Sequence, residues 1–521
     1  MLIKKSIIVF ILILLSFCYS LNSVYSEDLN SLQKMQNELA VLKSSELSSL
    51  VFFSEYDFVY DTKLYYNPST RDLIEKLSLA EKHCENANVA VAYYEYKKII
   101  DTMSPNDFYY MLIAYNLTQR GFFSLAHNAM NKVEDKEIWA SHIEAIRKYA
   151  FPYVNLKVTE EVFFAELLSD IVYNNMTNES LARLSKSESS LANSDYGCYL
   201  KSKAYFAEKK EKEALSEINK ALAKNPQNML YLRFKAEILN ALGKAKDALF
   251  ILNKLPDESL LYVENQKFKD KIKYYTLTGS KEGSKKFNLA YYFYLNKDYQ
   301  RAINELNLLL IRGDNKQSGE LLGHIYLING NYIDAEKLYR KLLTKSPKLA
   351  YAHKGLGDIY LHNGKNALAY AEYKTALKYN PKDCENYVGV IVSSVKIGDV
   401  KGAKKYLEKA KSKFPNNFKI LYLCSRLEYD KGKQFLKNSL KYNPFYPEGW
   451  LDLAGDALVL DDTASAEEYV NTAAFITKNS PRYFYFKSIL NTKKKDEQTA
   501  YKDILRAKEL YTMQVQDKQE L

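Results

Sequence analysis

The residues able to do covalent or metal chemistry are few and poorly spaced for it. Cysteines stand at positions 18, 84, 198, 384 and 424, and histidines at 83, 127, 142, 324, 353 and 362. Zinc sites bring thiolates and imidazoles together at short fixed spacings, CxxC or HExxH, and neither occurs. His353 and His362 would share one helical hairpin, where they read as surface or groove histidines rather than metal ligands. Cys84, Cys198, Cys384 and Cys424 read as small apolar residues on helices. No GxxxxGK, GxSxG or paired-carboxylate pattern appears in context. The expectation is a protein with no catalytic, cofactor-binding or metal site, and not an enzyme.

One cysteine has a different reading. Met1 to Ser26 joins a basic start, Lys4-Lys5, to an unbroken apolar run from Ile7 to Leu15. That run is shorter than the roughly 20 residues a spanning helix needs and has signal-peptide length. Val24-Tyr25-Ser26 supplies small residues for cleavage before Glu27. Leu15-Ser16-Phe17-Cys18 also resembles a bacterial lipobox, with Phe17 where a small residue is usual, so Cys18 is a lipidation candidate. A cleaved signal, a lipoprotein signal and an uncleaved anchor all remain open. Each predicts export to the periplasm or envelope of a bacterium, with membrane contact only through this segment.

Charge does not point to nucleic acid. The chain of 521 residues carries 74 Lys and Arg against 63 Asp and Glu, and only 11 of the cations are Arg. Arg is the better reader of phosphates and base edges. Lysines interleaved with acids describe a solvated helical surface.

The elements that must position any site are legible from spacing. Only 11 Pro and 18 Gly occur, which predicts long runs of helix. Pro347, Pro381 and Pro415 recur at 34-residue intervals. Gly323 and Gly357 fall in phase with them, as do Ala335, Ala369 and Ala403, then Tyr339, Tyr373 and Leu407. The most complete copy, Ala350 to Asp383, has Leu356-Gly357, Tyr360, Ala369, Tyr373, Ala376 and Pro381. Further copies run through 195–256, 283–314, 316–348, 384–415, 418–444 and 447–481. Ala500 and Ala507 end the series. Weaker copies begin at Leu79-Ala80 and Ile113-Ala114, and 136–194 is helical but fits the period poorly.

This pattern resembles the tetratricopeptide repeat (TPR), a helix-turn-helix unit of 34 residues with small residues at the helix crossings. The resemblance implies an all-α, TPR-like helical-hairpin solenoid, a right-handed superhelix of about a dozen hairpins. It also implies a binding scaffold whose partners are other proteins, held as a peptide or helix against the first helix of each hairpin. Carried over by offset, that groove would be lined by Phe287, Tyr291, Tyr294, Glu320, His324, Leu327, Lys354, Asp358, Leu361, Val388, Val392 and Val395. A known TPR mode clamps a terminal carboxylate with Lys and Asn. Lys354 matches the Lys, but Asp358 stands at the Asn position and would repel the ligand, so that mode is excluded. Exported TPR proteins that build periplasmic flagellar collars look like an analogue.

The expected organisation is a signal at 1–26, an amphipathic and aromatic segment at 27–70, degenerate repeats at 71–256, an extra helix and linker at 257–284, a repeat array at 285–513 and a tail at 514–521. Segment 27–70 reads as a cap over the first hairpin or as a contact segment. Arg312-Gly313-Asp314, an adhesion tripeptide elsewhere, falls at a repeat turn.

Overall fold

The computed structural model describes residues 71–255, 268–269, 272 and 287–519, with interruptions at 104–105, 151–155, 188, 288, 292, 295–296, 312–315, 429–430 and 478–479. The signal at 1–26 with Cys18, segment 27–70, most of 257–284, Arg312-Gly313-Asp314 and residues 520–521 lie outside the described residues. Contacts divide the described chain into two units, one within Glu55–Leu277 together with Lys441–Asn443 and one within Thr278–Leu440 and Pro444–Leu521.

All regular structure among the described residues is helical. The first unit holds α1 (Arg71–Glu85), α2 (Val89–Thr102), α3 (Asp107–Arg120), α4 (Phe123–Asn131), α5 (Lys136–Ala150), α6 (Val158–Val172), α7 (Thr177–Lys186), α8 (Ser189–Ala192), α9 (Asp195–Ala207), α10 (Glu211–Lys224), α11 (Met229–Ala241) and α12 (Ala245–Leu252). The second holds α13 (Tyr299–Ile311), α14 (Lys316–Ile328), α15 (Tyr332–Lys345), α16 (Ala350–His362), α17 (Asn366–Tyr379), α18 (Cys384–Lys396), α19 (Val400–Lys413), α20 (Phe418–Leu427), α21 (Gly432–Tyr442), α22 (Pro447–Val459), α23 (Thr463–Ile476), α24 (Pro481–Lys493) and α25 (Glu497–Gln519). Helical residues between Phe287 and Tyr294 precede α13. These elements form the expected TPR-like solenoid of paired helices, here called A (first) and B (second).

The turn within each pair explains why the helices stop where they do. Every positive-φ residue among those described stands at such a turn: Ala87, Gly121, Asn175, Lys209, Gly243, Lys297, Gly330, Gly364, Gly398, Asp461 and Lys495. The spacing is 34 residues from 87 to 121, from 175 through 209 to 243, from 330 through 364 to 398, and from 461 to 495. The next amide donates to a carbonyl five residues back, as in Lys244 to Leu239 (2.8 Å), Lys365 to Tyr360 (2.8 Å) and Asp399 to Ser394 (2.9 Å). This is a Schellman closure, which requires one left-handed residue. It satisfies the last carbonyls of the A helix and reverses the chain. Many A helices start on a side-chain cap: Asn106, Ser194, Asn228, Asp383, Asn417 and Ser480 each accept a first-turn amide.

Asn175 brings α6 and α7 into phase with the two following pairs, so 158–186 is a repeat that the sequence pattern hides. Leu168, Ser180 and Ser187 stand where other copies have Gly or Ala, and Ser180 is buried. α5 lies between pairs.

Packing follows from small residues at the crossings. Ala92, Ala126, Ala214, Ala248, Ala302, Ala335, Ala369, Ala403, Ala466 and Ala500 occupy one repeat position, and all are fully buried. Around 316–398 the fit is tighter still. The buried Tyr339 ring lies between Gly323 of its own A helix and Gly355 of the next, and Tyr373 lies likewise between Gly357 and Gly389. A Cβ at Gly357 would stand 2.9 Å from the Tyr373 ring, and at Gly323, Gly355 and Gly389 the overlap is deeper. A residue at Gly364 would meet nothing within 4 Å, but φ there is +69°.

Two alanine substitutions therefore separate packing from backbone strain. Gly389→Ala should cost about 3 kcal/mol through overlap with Tyr373, and Gly364→Ala about 1 kcal/mol through its left-handed φ alone. Urea midpoints for the two variants check the order.

Candidate functional site

The A and B helices of the second unit differ in kind. Each of α15, α17 and α19 buries three residues at helical spacing: Ala335, Tyr339 and Leu342; Ala369, Tyr373 and Ala376; Ala403, Leu407 and Ala410. The A helices are buried almost all round, continuously from Gly355 to Leu361 in α16 and from Asn386 to Ser394 in α18. A helix covered on all sides can offer a partner little side-chain surface.

The offset-derived groove positions accordingly fall into two groups. Phe287, Tyr291, Asp358, Leu361, Val388 and Val392 are buried. Glu320 is exposed, and Tyr294, His324, Leu327, Lys354 and Val395 are half-buried. The structure draws some of them together. The Tyr294 hydroxyl lies 3.2 Å from His324 Nε2, with the two rings edge to face and the Tyr291 ring 5.8 Å from that of Tyr294. Lys354 Nζ donates to Asp358 Oδ2 at 2.8 Å, and the Tyr373 hydroxyl donates to Asp358 Oδ1 at 2.7 Å. Burial, then the Asp358 carboxylate, hold the Tyr373 phenol well above the ordinary tyrosine range, so it remains a donor. Lys354 is thus committed to its own helix.

The row of A-helix positions continues one repeat beyond Val395. Tyr422 and Arg426, the next positions in the row after Val388 and Val392, belong to a buried polar network. Asp452 Oδ2 accepts from the Tyr422 hydroxyl at 3.1 Å and from Arg426 at 3.2 Å, while its Oδ1 accepts from Arg482. Arg482 also pairs with Glu448 at 2.7 Å and lies 5.1 Å over the Phe486 ring. One repeat-equivalent position carries Glu385, Lys419, Glu448 and Arg482. Glu385 pairs with Lys419 at 2.8 Å across adjacent repeats, as Glu448 does with Arg482.

Two of the histidines and two of the cysteines have structural surroundings. His353 contacts Glu372 (2.7 Å) and the Pro347 carbonyl (3.0 Å), and His362 stacks on Tyr332 at 4.0 Å. Burial pushes the Cys84 thiol up to about 11 and the Cys424 thiol up to about 12. No group of three or more His, Cys, Asp or Glu among the described residues is placed to hold a metal. No described helix is long and apolar enough to cross a membrane. In the first unit a small cleft is lined by Cys84, Gln119, Arg120, Ser169, Tyr173, Tyr199 and Lys203, among others.

The tetratricopeptide repeat family profile matches residues 326–391. That segment spans α15 to α17 with the Tyr339 and Tyr373 contacts. No curated protein matches the chain in sequence. Among solved structures it is similar to Pseudomonas aeruginosa pilF (22% identity, 40% of this chain and 98% of that one, TM-score 0.33). It is also similar to the Cut9–Hcn1 hetero-tetramer of the APC/C (14%, 88% and 96%, 0.37) and to yeast Tom70 (11%, 74% and 96%, 0.33).

Asp452→Leu should cost about 3 kcal/mol because it removes the carboxylate of Arg426 and leaves buried Arg482 with Glu448 alone; thermal unfolding of the purified protein measures it. In the native protein a thiol reagent at neutral pH should label half-buried Cys384 well before Cys84, Cys198 or Cys424, which raised pKa values and burial keep as thiols. Peptide mapping after a short pulse reads the order.

Proposed function

We propose that this protein is an exported, non-enzymatic TPR scaffold that holds a peptide or helix of a partner protein in a bacterial envelope assembly. One observation carries the reading. A single repeat architecture fills nearly all described residues, and part of its A-helix row, Tyr294, Glu320, His324, Leu327, Lys354 and Val395, keeps accessible surface. Export is supported by the basic and apolar pattern of residues 1–26. The mixture of Tyr, Leu and Val beside Glu320 suits a segment with apolar anchors and a basic flank. A flagellar collar or motor-associated role is one form of this function, by analogy with exported TPR proteins that build periplasmic flagellar collars.

The alternative is a TPR partner of an envelope transport or lipoprotein complex, anchored through a lipid on Cys18. The Leu15 to Cys18 pattern favours it. Mass spectrometry of the mature N-terminus separates the two: diacylglyceryl Cys18 supports the anchor, and a free Glu27 excludes it.

Affinity capture from the native organism tests the scaffold. Wild-type protein should recover one or a few envelope proteins. Leu327→Asp with Val395→Asp should lower that recovery about tenfold or more, with an unchanged helical circular-dichroism spectrum. Undiminished recovery by the double variant would remove the A-helix row from the reading. Recovery of no envelope protein by wild type would remove the scaffold.

A further inference from the structure

Residues 332–433 hold 21 Lys and Arg against 10 Asp and Glu. The excess of 11 equals the net charge of the whole chain, +11, so the remaining residues balance. Six of these ten acids are paired with basic side chains, while Asp334 and Asp399 are exposed at the starts of α15 and α19. Asp358 binds Lys354, Glu372 binds His353, Glu385 binds Lys419, Glu336 binds Arg340, and Glu408 and Glu428 share Lys411.

The lysines of the B helices face outward. Lys337, Lys341, Lys374, Lys401, Lys404 and Lys405 are exposed on α15, α17 and α19 and have no ion-pair partner among the described residues. Tyrosines are interleaved with this lysine field, with Lys374 5.6 Å from the Tyr370 ring and Lys409 5.8 Å from that of Tyr406. Beside the left-handed glycines 330, 364 and 398, the first turns of the same three helices present Ile333, Leu368 and Val400, exposed to 63%, 52% and 45%. Each of three successive repeats therefore exposes one aliphatic side chain near the start of its B helix, at neighbouring rather than equivalent positions, on helices that also carry unpaired lysines.

We propose that this B-helix face docks on a lipid bilayer bearing anionic headgroups. The lysines sit over the phosphates, and Ile333, Leu368 and Val400 enter the headgroup region. Both features are needed for the choice. Unpaired lysines close to an anionic leaflet are attracted individually and additively. The exposed aliphatic side chains and the Lys–Tyr pairs suit the boundary between headgroup and acyl chain. A soluble polyanion makes no use of Ile, Leu and Val. Nucleic acid is disfavoured further because the two arginines of the segment are taken: Arg340 by Glu336 and Tyr360, and Arg426 by Asp452.

The full chain is tested by vesicle co-sedimentation at low and high salt. One set of vesicles is pure phosphatidylcholine and the other contains phosphatidylglycerol. The apolar segment at 7–15 contributes to both sets, so the readout is the preference for the anionic one. Wild type should prefer phosphatidylglycerol vesicles and lose that preference at high salt. Lys401→Glu with Lys404→Glu and Lys405→Glu, all exposed, should weaken the preferential binding about a hundredfold. Ile333→Ser with Leu368→Ser and Val400→Ser should weaken binding while keeping its salt dependence. Circular dichroism checks that both variants fold. Equal binding to the two vesicle types overturns the proposal, as does a preference unchanged by either triple variant. Retention on duplex DNA that phosphatidylglycerol vesicles fail to compete away also overturns it.

Discussion

Steric contact between a tyrosine ring and bare backbone sets the spacing of the array between α14 and α18. Tyr339 and Tyr373 each reach into two consecutive A helices, and each finds a glycine on both sides. A hairpin cannot bury such a ring alone, because half of the pocket belongs to its neighbour. Stability there resides between repeats as much as within them, as in other solenoids. The fully buried alanines at the helix crossings extend the constraint, less tightly, along both units. With the rings and crossings fixed, the left-handed turn follows, since only a reversal of that length returns helix B to helix A.

Much of this was legible in sequence because small side chains at a helix crossing leave a fixed period. Gly357, Ala369, Tyr373 and Pro381 stand where the consensus puts them, and the structure gives the first three the packing roles that spacing assigns. The repeat at 158–186 was not legible. There the period survives in backbone geometry, through Asn175, while Leu168, Ser180 and Ser187 replace the diagnostic residues. A turn closed by hydrogen bonds tolerates Ala, Asn, Lys or Asp at its left-handed position for about a kilocalorie per mole, so glycine is an incomplete marker of it.

The candidate surface was less legible than the fold. Offset arithmetic says which face of an A helix a residue occupies but not what else lies against that face. Val388 and Val392 sit at offsets that are open in a typical groove, and here they are buried. One repeat later, the same offsets carry Tyr422 and Arg426 within a polar network whose other members, Asp452 and Arg482, come from the two following A helices. A buried ion pair contributes little net stability compared with apolar packing, but it penalises any mispairing that leaves one charge alone. The network therefore reads as a device for register between repeats, and the accessible remainder of the row is where a partner would meet the protein.

The alternation of Glu385, Lys419, Glu448 and Arg482 has a consequence for how such an array can grow. Duplicating one repeat in place would set acid against acid, or base against base, at a position where Lys419 and Arg482 are almost wholly buried. Duplicating two would preserve every pairing. This end of the protein therefore carries a parity, and its length is most easily changed in steps of two hairpins.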